Sequence, residues 1–120
     1  MTTFGLVLDC ADPETLAAFW TAALGYITLG AAGSYVLLVA PDGNQPKLLL
    51  QRVPEKKTVK NRMHLDIVTP DIHREAARLE ALGARQIAPE ERSEHGSTWV
   101  LMEDPEGNEF CVCDGGAGDA

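Results

Sequence analysis

The sequence predicts an α+β fold built from two tandem strand–helix–strand–strand–strand (βαβββ) modules, and three observations predict it. One order of apolar alternation and breaker residues occurs twice. In each half an Asp opens a helical segment that ends in Leu-Gly. In each half a tight turn, PDGN at 41–44 or PEGN at 105–108, precedes a final apolar strand.

The first module starts with the strand GLVLDCA, Gly5 to Ala11. Asp12 and Pro13 open the following helix, since Asp caps free backbone N–H groups and Pro is tolerated at the first helical position. The helix runs through Phe19 and Trp20 to Leu24, and Gly25 stops it. Phe19 and Trp20 are expected to diverge, one in the core and the other over a sheet edge or dimer contact. Two strand-like runs follow, carrying Tyr26 and Tyr35 as ordinary strand residues, then the PDGN turn and the strand LLLQRV. The second module repeats this with the strand HLDIVT, Asp71 as opener, a helix through Ala76, Leu79 and Leu82, Gly83 as stop, two more runs, PEGN and the strand EFCVC. The organisation is one domain over 1–114: module one at about 4–53, a connector at 54–61, module two at 62–113, and a frayed tail at 115–120.

One helix covers one face of such a small sheet, so the other face must find cover elsewhere, and a curved, cup-like mixed sheet is the expected solution. Residues two apart on a strand share a face. Met63, Leu65 and Ile67 form a row apolar enough to lie under the helix, leaving His64, Asp66 and Val68 on the other face. Phe110 and Val112 likewise oppose Glu109, Cys111 and Cys113.

Composition narrows the function. The 120 residues are 45% hydrophobic, with a net charge of −8, so a packed domain is expected and disorder is not. The acidic excess argues against nucleic acid as main partner and suits a cationic ligand. No apolar run approaches the ~18 residues of a bilayer span. The odd number of cysteines, Cys10, Cys111 and Cys113, without a charged-then-apolar leader, points to a reducing cytoplasm. Arg52, Lys56, Lys57, Lys60 and Arg62, half of all Lys and Arg, gather around the connector as a solvated stretch or a lip for an anion.

His64 and Asp66 lie roughly 6.6 Å apart along one strand. They can share one ligand, relay a proton at neutral pH, or form an ordinary hydrogen-bonded pair. Asp9, on the matching face of the first strand, adds a carboxylate. Trp99 can line the cavity and stack on a planar ligand. Cys111 and Cys113 read as small core residues, without the spacing of a redox pair. His73 is expected to face solvent, and His95 to sit in a loop, from which it could swing over a ligand.

The paired modules, DCADPETLAAFW, the run QRVPEKKTVKNRMHLD and the ending DPEGNEFCV together resemble the vicinal oxygen chelate superfamily, and within it the glyoxalase-like and bleomycin-resistance group, over residues 4 to 113. The resemblance implies the glyoxalase/bleomycin-resistance/dioxygenase fold, a ligand cavity on the curved sheet and a homodimer. In metal-dependent members four side chains converge, one from the first and one from the last strand of each module. His64 matches the histidine ligand of module two, and Gln51 matches an oxygen donor found in some relatives. Gly5 stands where the other histidine is wanted, and Cys111 where a glutamate is usual, with Glu109 one same-face step earlier. The hard-metal site is dismantled by these departures, and no cofactor is expected. A divalent metal, if bound, would use His64, Gln51, Glu109 or Cys111, with zinc suiting the sulfur best.

Three functions follow as expectations. The first is a protein that binds a small metabolite or antibiotic through Asp9, Gln51, His64, Trp99, Glu109 and Cys111. The second is a lyase, isomerase or dioxygenase-type enzyme with His64, Asp66 and Glu109 as catalytic groups. The third is a scaffold whose cup is a protein interface. No nucleic acid or membrane partner is expected.

Overall fold

The computed structural model describes residues 2–88, 91–94 and 96–115. His95 and the 116–120 part of the expected tail lie outside the described residues; Gly115 is buried. The chain divides into two compact units, Met1–Thr58 and Val59–Ala120. The α+β class read from the sequence is the one found: each unit has a helix and a mixed sheet. Among the described residues no helix is long and apolar enough to cross a membrane.

In the first unit, β1 (Leu6–Cys10) leads to α1 (Pro13–Leu24), then β2 (Ile27–Ala32), β3 (Tyr35–Val39) and β4 (Leu48–Arg52). The sheet order is β1-β4-β3-β2, with β1 parallel to β4 and the other pairs antiparallel. Asp12 caps α1 by accepting from the Thr15 backbone N–H at 3.3 Å and the Thr15 hydroxyl at 2.6 Å. These bonds to the ionised form hold its carboxyl below the usual carboxylate range. Gly25 ends the helix at φ 70°, a left-handed conformation that a side chain would strain. Leu16, Val36, Leu38, Leu48 and Leu50 form the core.

Phe19 and Trp20 do not diverge as expected. Both are buried and meet edge to face, with ring centroids 5.0 Å apart and planes at 87°. Neighbours on a helix are about 100° apart, and an apolar stripe that wide accommodates both. The arc Leu16, Phe19, Trp20 and Ala23 is buried throughout. Tyr26 is more than an ordinary strand residue: its hydroxyl donates to the Pro46 carbonyl at 2.7 Å, and burial pushes its pKa up.

In the second unit, β5 (Leu65–Val68) leads to α2 (Ile72–Ala81), two short strands β6 (Arg85–Gln86) and β7 (Arg92–Glu94), then β8 (Ser97–Glu103) and β9 (Glu109–Cys113). The sheet order is β5-β9-β8-β6, with β7 also on β8 and β5 parallel to β9. One expected strand is therefore two pieces. β6 pairs with Glu103 and Met102, and β7 with Trp99, Thr98 and Ser97. The sequence between them holds Pro89, which has no N–H to offer a ladder. Asp71 caps α2 through the Arg74 N–H at 3.2 Å. Ile72, Ala76 and Leu79 bury the helix face while Val100, Met102, Phe110 and Val112 bury the sheet face beneath it.

The row expected under this helix loses its first member. Met63 precedes β5 and is 77% exposed. The backbone there is held outside the ladder, with the Asn61 side chain donating to the Met63 carbonyl at 3.0 Å and the Asn61 N–H donating to Glu109 at 2.8 Å.

Candidate functional site

Because Phe110, Val112, Val100 and Met102 take the helix-covered face of the second sheet, their alternates take the other. The register then decides which of these meet. Asp66 of β5 lies beside Cys111 of β9, which lies beside Leu101 of β8; one step along, Val68 lies beside Cys113 and Cys113 beside Trp99. His64, two residues before Asp66, extends the same row. Its Nε2 stands 3.2 Å from Asp66 Oδ1, and both side chains are about half exposed. One donor atom each from His64, Asp66 and Cys111 lies within 4.8 Å of the others.

Cys111 is the buried member of this trio. Burial first, then the negative fields of Asp66 and Cys113, push its thiol up to about 11. It is a neutral S–H at physiological pH, so a thiolate nucleophile is not available without a cation to displace the proton. Cys10, Cys111 and Cys113 are all buried thiols outside any disulfide, and the Cys10 thiol donates to the Gln51 carbonyl at 3.6 Å. Trp99 is half-buried on the same face, diagonal to Cys111.

Glu109 is not part of the cluster. Its carboxylate accepts from Lys60 Nζ at 3.1 Å and from the Asn61 N–H at 2.8 Å, while its own N–H donates to Asn61 Oδ1 at 3.3 Å. With its side chain 13% exposed, Glu109 ties the segment before β5 to the start of β9. The sequence marks Lys60 only as part of a solvated or anion-attracting stretch and does not single out Asn61. A lysine and an asparagine in a charged connector carry no signal of a partner 48 or 49 positions away.

In the first unit the same alternation puts Asp9, Gln51 and Tyr35 side by side on adjacent strands. Gln51 Nε2 donates to the Tyr35 hydroxyl at 3.3 Å, giving Tyr35 a place in the candidate set that its sequence position did not suggest. An open cleft of about 940 Å³ lies between residues 2–5 and 39–47. It shares none of its lining with that row, and Asp42 and Lys47 are its titratable side chains. His73 faces solvent as expected, with Nε2 2.7 Å from a Glu91 oxygen.

A hard divalent ion of the kind implied by the family resemblance does not fit these residues. Gly5 offers no donor, Glu109 is engaged by Lys60 and Asn61, and Cys111 brings sulfur in place of oxygen.

Residues 5–113 match the glyoxalase-like domain family. No curated protein matches the sequence at a significant level. Among solved structures, the fold is similar to that of a genomically encoded fosfomycin resistance protein from Listeria monocytogenes, complexed with Mn(II) and 1S,2S-dihydroxypropylphosphonic acid. That pair has a TM-score of 0.78 and 14% identity, over 98% of this chain and 93% of the other. It is also similar to a glyoxalase/bleomycin resistance protein/dioxygenase family enzyme from Burkholderia phytofirmans, with a TM-score of 0.74 and 15% identity over 90% and 94% of the two chains. A hypothetical protein from S. aureus gives a TM-score of 0.73 at 15% identity, over 94% and 93%. At these identities the likeness speaks for fold alone.

Proposed function

This chain belongs to the glyoxalase-like domain family of the vicinal oxygen chelate superfamily, and on that premise we propose that it is a homodimeric cytoplasmic protein that binds a small metabolite or antibiotic. The observation that carries the reading is the exposed His64–Asp66 pair, in contact at 3.2 Å on the strand face that α2 leaves uncovered. Trp99 offers an indole on that face, and Asp9 and Gln51 equip the equivalent face of the first unit. The carboxylates and the net charge of −8 favour a cationic ligand, and the indole favours one with a planar part. Glu109 contributes by holding the segment that leads to His64.

The test is calorimetric titration of chelator-treated protein with a panel of cationic aromatic metabolites and antibiotics. A ligand of micromolar affinity is expected. It should weaken by about tenfold in Asp66→Asn, the loss of one charge-assisted hydrogen bond. Saturable binding to none of the panel, or binding equal in wild type and Asp66→Asn, overturns the reading.

The same contact supports a second reading, a lyase or isomerase in which His64 carries a proton and Asp66 orients and stabilises the imidazolium. Glu109 is committed to Lys60 and Asn61, so the partner role falls to Asp66. His64→Ala separates the two readings. A binder loses modest affinity, whereas an enzyme loses turnover by about 100- to 10,000-fold.

A further inference from the structure

His64, Asp66 and Cys111 stand on a triangular footprint that the sheet itself defines. Asp66 is on β5, His64 stands two residues earlier, just before that strand, and Cys111 is the lateral neighbour of Asp66 on the adjacent parallel strand. Neighbouring strands lie about 4.8 Å apart and same-face residues about 6.6 Å, so side chains of this length converge above the sheet. The three donors, an imidazole nitrogen, a carboxylate oxygen and a sulfur, lie within 4.8 Å of one another. The His64–Asp66 separation of 3.2 Å is already that of two ligands on one small cation. Tetrahedral zinc, at about 2.0–2.1 Å from nitrogen and oxygen and 2.3 Å from sulfur, needs donor pairs roughly 3.3–3.7 Å apart. Closing the triangle onto Cys111 takes side-chain rotation at the two half-exposed residues, while the buried cysteine stays in place.

We propose that His64 Nε2, an Asp66 carboxylate oxygen and Cys111 Sγ form a three-donor site for a thiophilic divalent cation of the zinc type, carried wholly by the second unit. The fourth position faces away from the sheet, open to water or to one donor atom of a small molecule. On binding, the S–H bond breaks, a sulfur–metal bond forms and the proton passes to solvent. The sulfur sets the selectivity. Zinc and cobalt(II) accept a thiolate in a tetrahedral set, whereas magnesium and manganese prefer oxygen donors in octahedral ones. This inference concerns the metal alone and does not depend on the small-molecule reading.

The experiment is a cobalt(II) titration of the metal-free full chain, followed by absorption. One equivalent is expected to bind, with a near-ultraviolet sulfur-to-cobalt charge-transfer band and intense visible bands of tetrahedral cobalt. Zinc should abolish both on addition, and manganese should not. Cys111→Ser should lose the charge-transfer band, Cys113→Ser and Cys10→Ser should keep it, and Asp66→Asn and His64→Ala should each weaken binding at least about tenfold. Circular dichroism identifies any variant that fails to fold. For Cys111, Cys111→Ala and protection of the wild-type thiol by zinc against a thiol reagent provide independent readouts. No charge-transfer band at excess cobalt, or a band that survives Cys111→Ser, overturns the proposal. Its failure leaves ligand binding by chelator-treated protein untouched, so the two readings fail separately.

Discussion

The two units share a strand–helix–strands order, with one strand more in the second, and one parallel first-to-last strand pairing, yet they differ in what their uncovered sheet faces carry. In the first, the row is Asp9, Gln51 and Tyr35; in the second, it is Asp66, Cys111 and Leu101. Two residues before each aspartate stand Val7 and His64. Both rows carry polar side chains, and a few residues decide that imidazole, carboxylate and sulfur converge only in the second among the described residues. The turns before the last strands differ in the same way. Asp42 makes one exposed bond, to the Asn44 N–H at 2.9 Å. Asp104 is buried and accepts from the Glu106 and Asn108 N–H groups at 2.9 Å and from the Asn108 side chain at 2.9 and 3.1 Å. Equal topology does not bring equal energetics.

Transplanting the donor triangle would break the contrast most completely. Val7→His with Gln51→Cys, beside the native Asp9, should raise bound cobalt from one equivalent to two, each with a charge-transfer band. A stoichiometry that stays at one would mean that the row geometry alone does not make the site.

The turns offer the next largest effect. Asp104→Ala strands several buried donors and should cost about 3 kcal/mol, whereas Asp42→Ala should cost under about 1 kcal/mol. Urea denaturation of both variants measures the difference, and similar midpoints would contradict the burial contrast.

The smallest effect separates the helices. Glu75 receives two bonds from Arg78, at 2.7 and 2.8 Å, on α2. α1 has no basic residue in its last turn. The Arg78 guanidinium holds the Glu75 carboxyl below its usual value near 4.5. A carboxyl whose folded pKa is depressed stabilises the fold above its unfolded pKa, and that stability is lost as pH falls through the lower folded value. Glu75→Gln should therefore remove under about 0.5 kcal/mol at pH 7 and nothing once both states are protonated. Thermal melts from pH 7 down through the carboxylate range test this; equal destabilisation at every pH would assign the effect to packing.

Much of the fold was legible because its signals are local. Asp12 with Pro13, Asp71, Gly25, Gly83 and the two Pro-acid-Gly-Asn turns act through bonds and dihedral preferences within four residues of themselves. Period-two alternation in EFCVC assigns faces without knowledge of any partner. Local signals fail where a partner is distant. Nothing near Met63 announces that Asn61 will hold that segment out of the ladder, and nothing near Glu109 announces Lys60. The mutual burial of Phe19 and Trp20 depends on how wide a face the sheet accepts.

The candidate site divides along the same line. Alternation along the chain is enough to set His64 and Asp66 on one row, and the need of Phe110 and Val112 for cover is enough to turn Cys111 away from the helix. Packing between distant strands brings Cys111 beside Asp66 and Tyr35 beside Gln51. Register between strands tens of residues apart is set by packing of whole faces, and a slip of one residue would turn Cys111 to the opposite side of its partner strand.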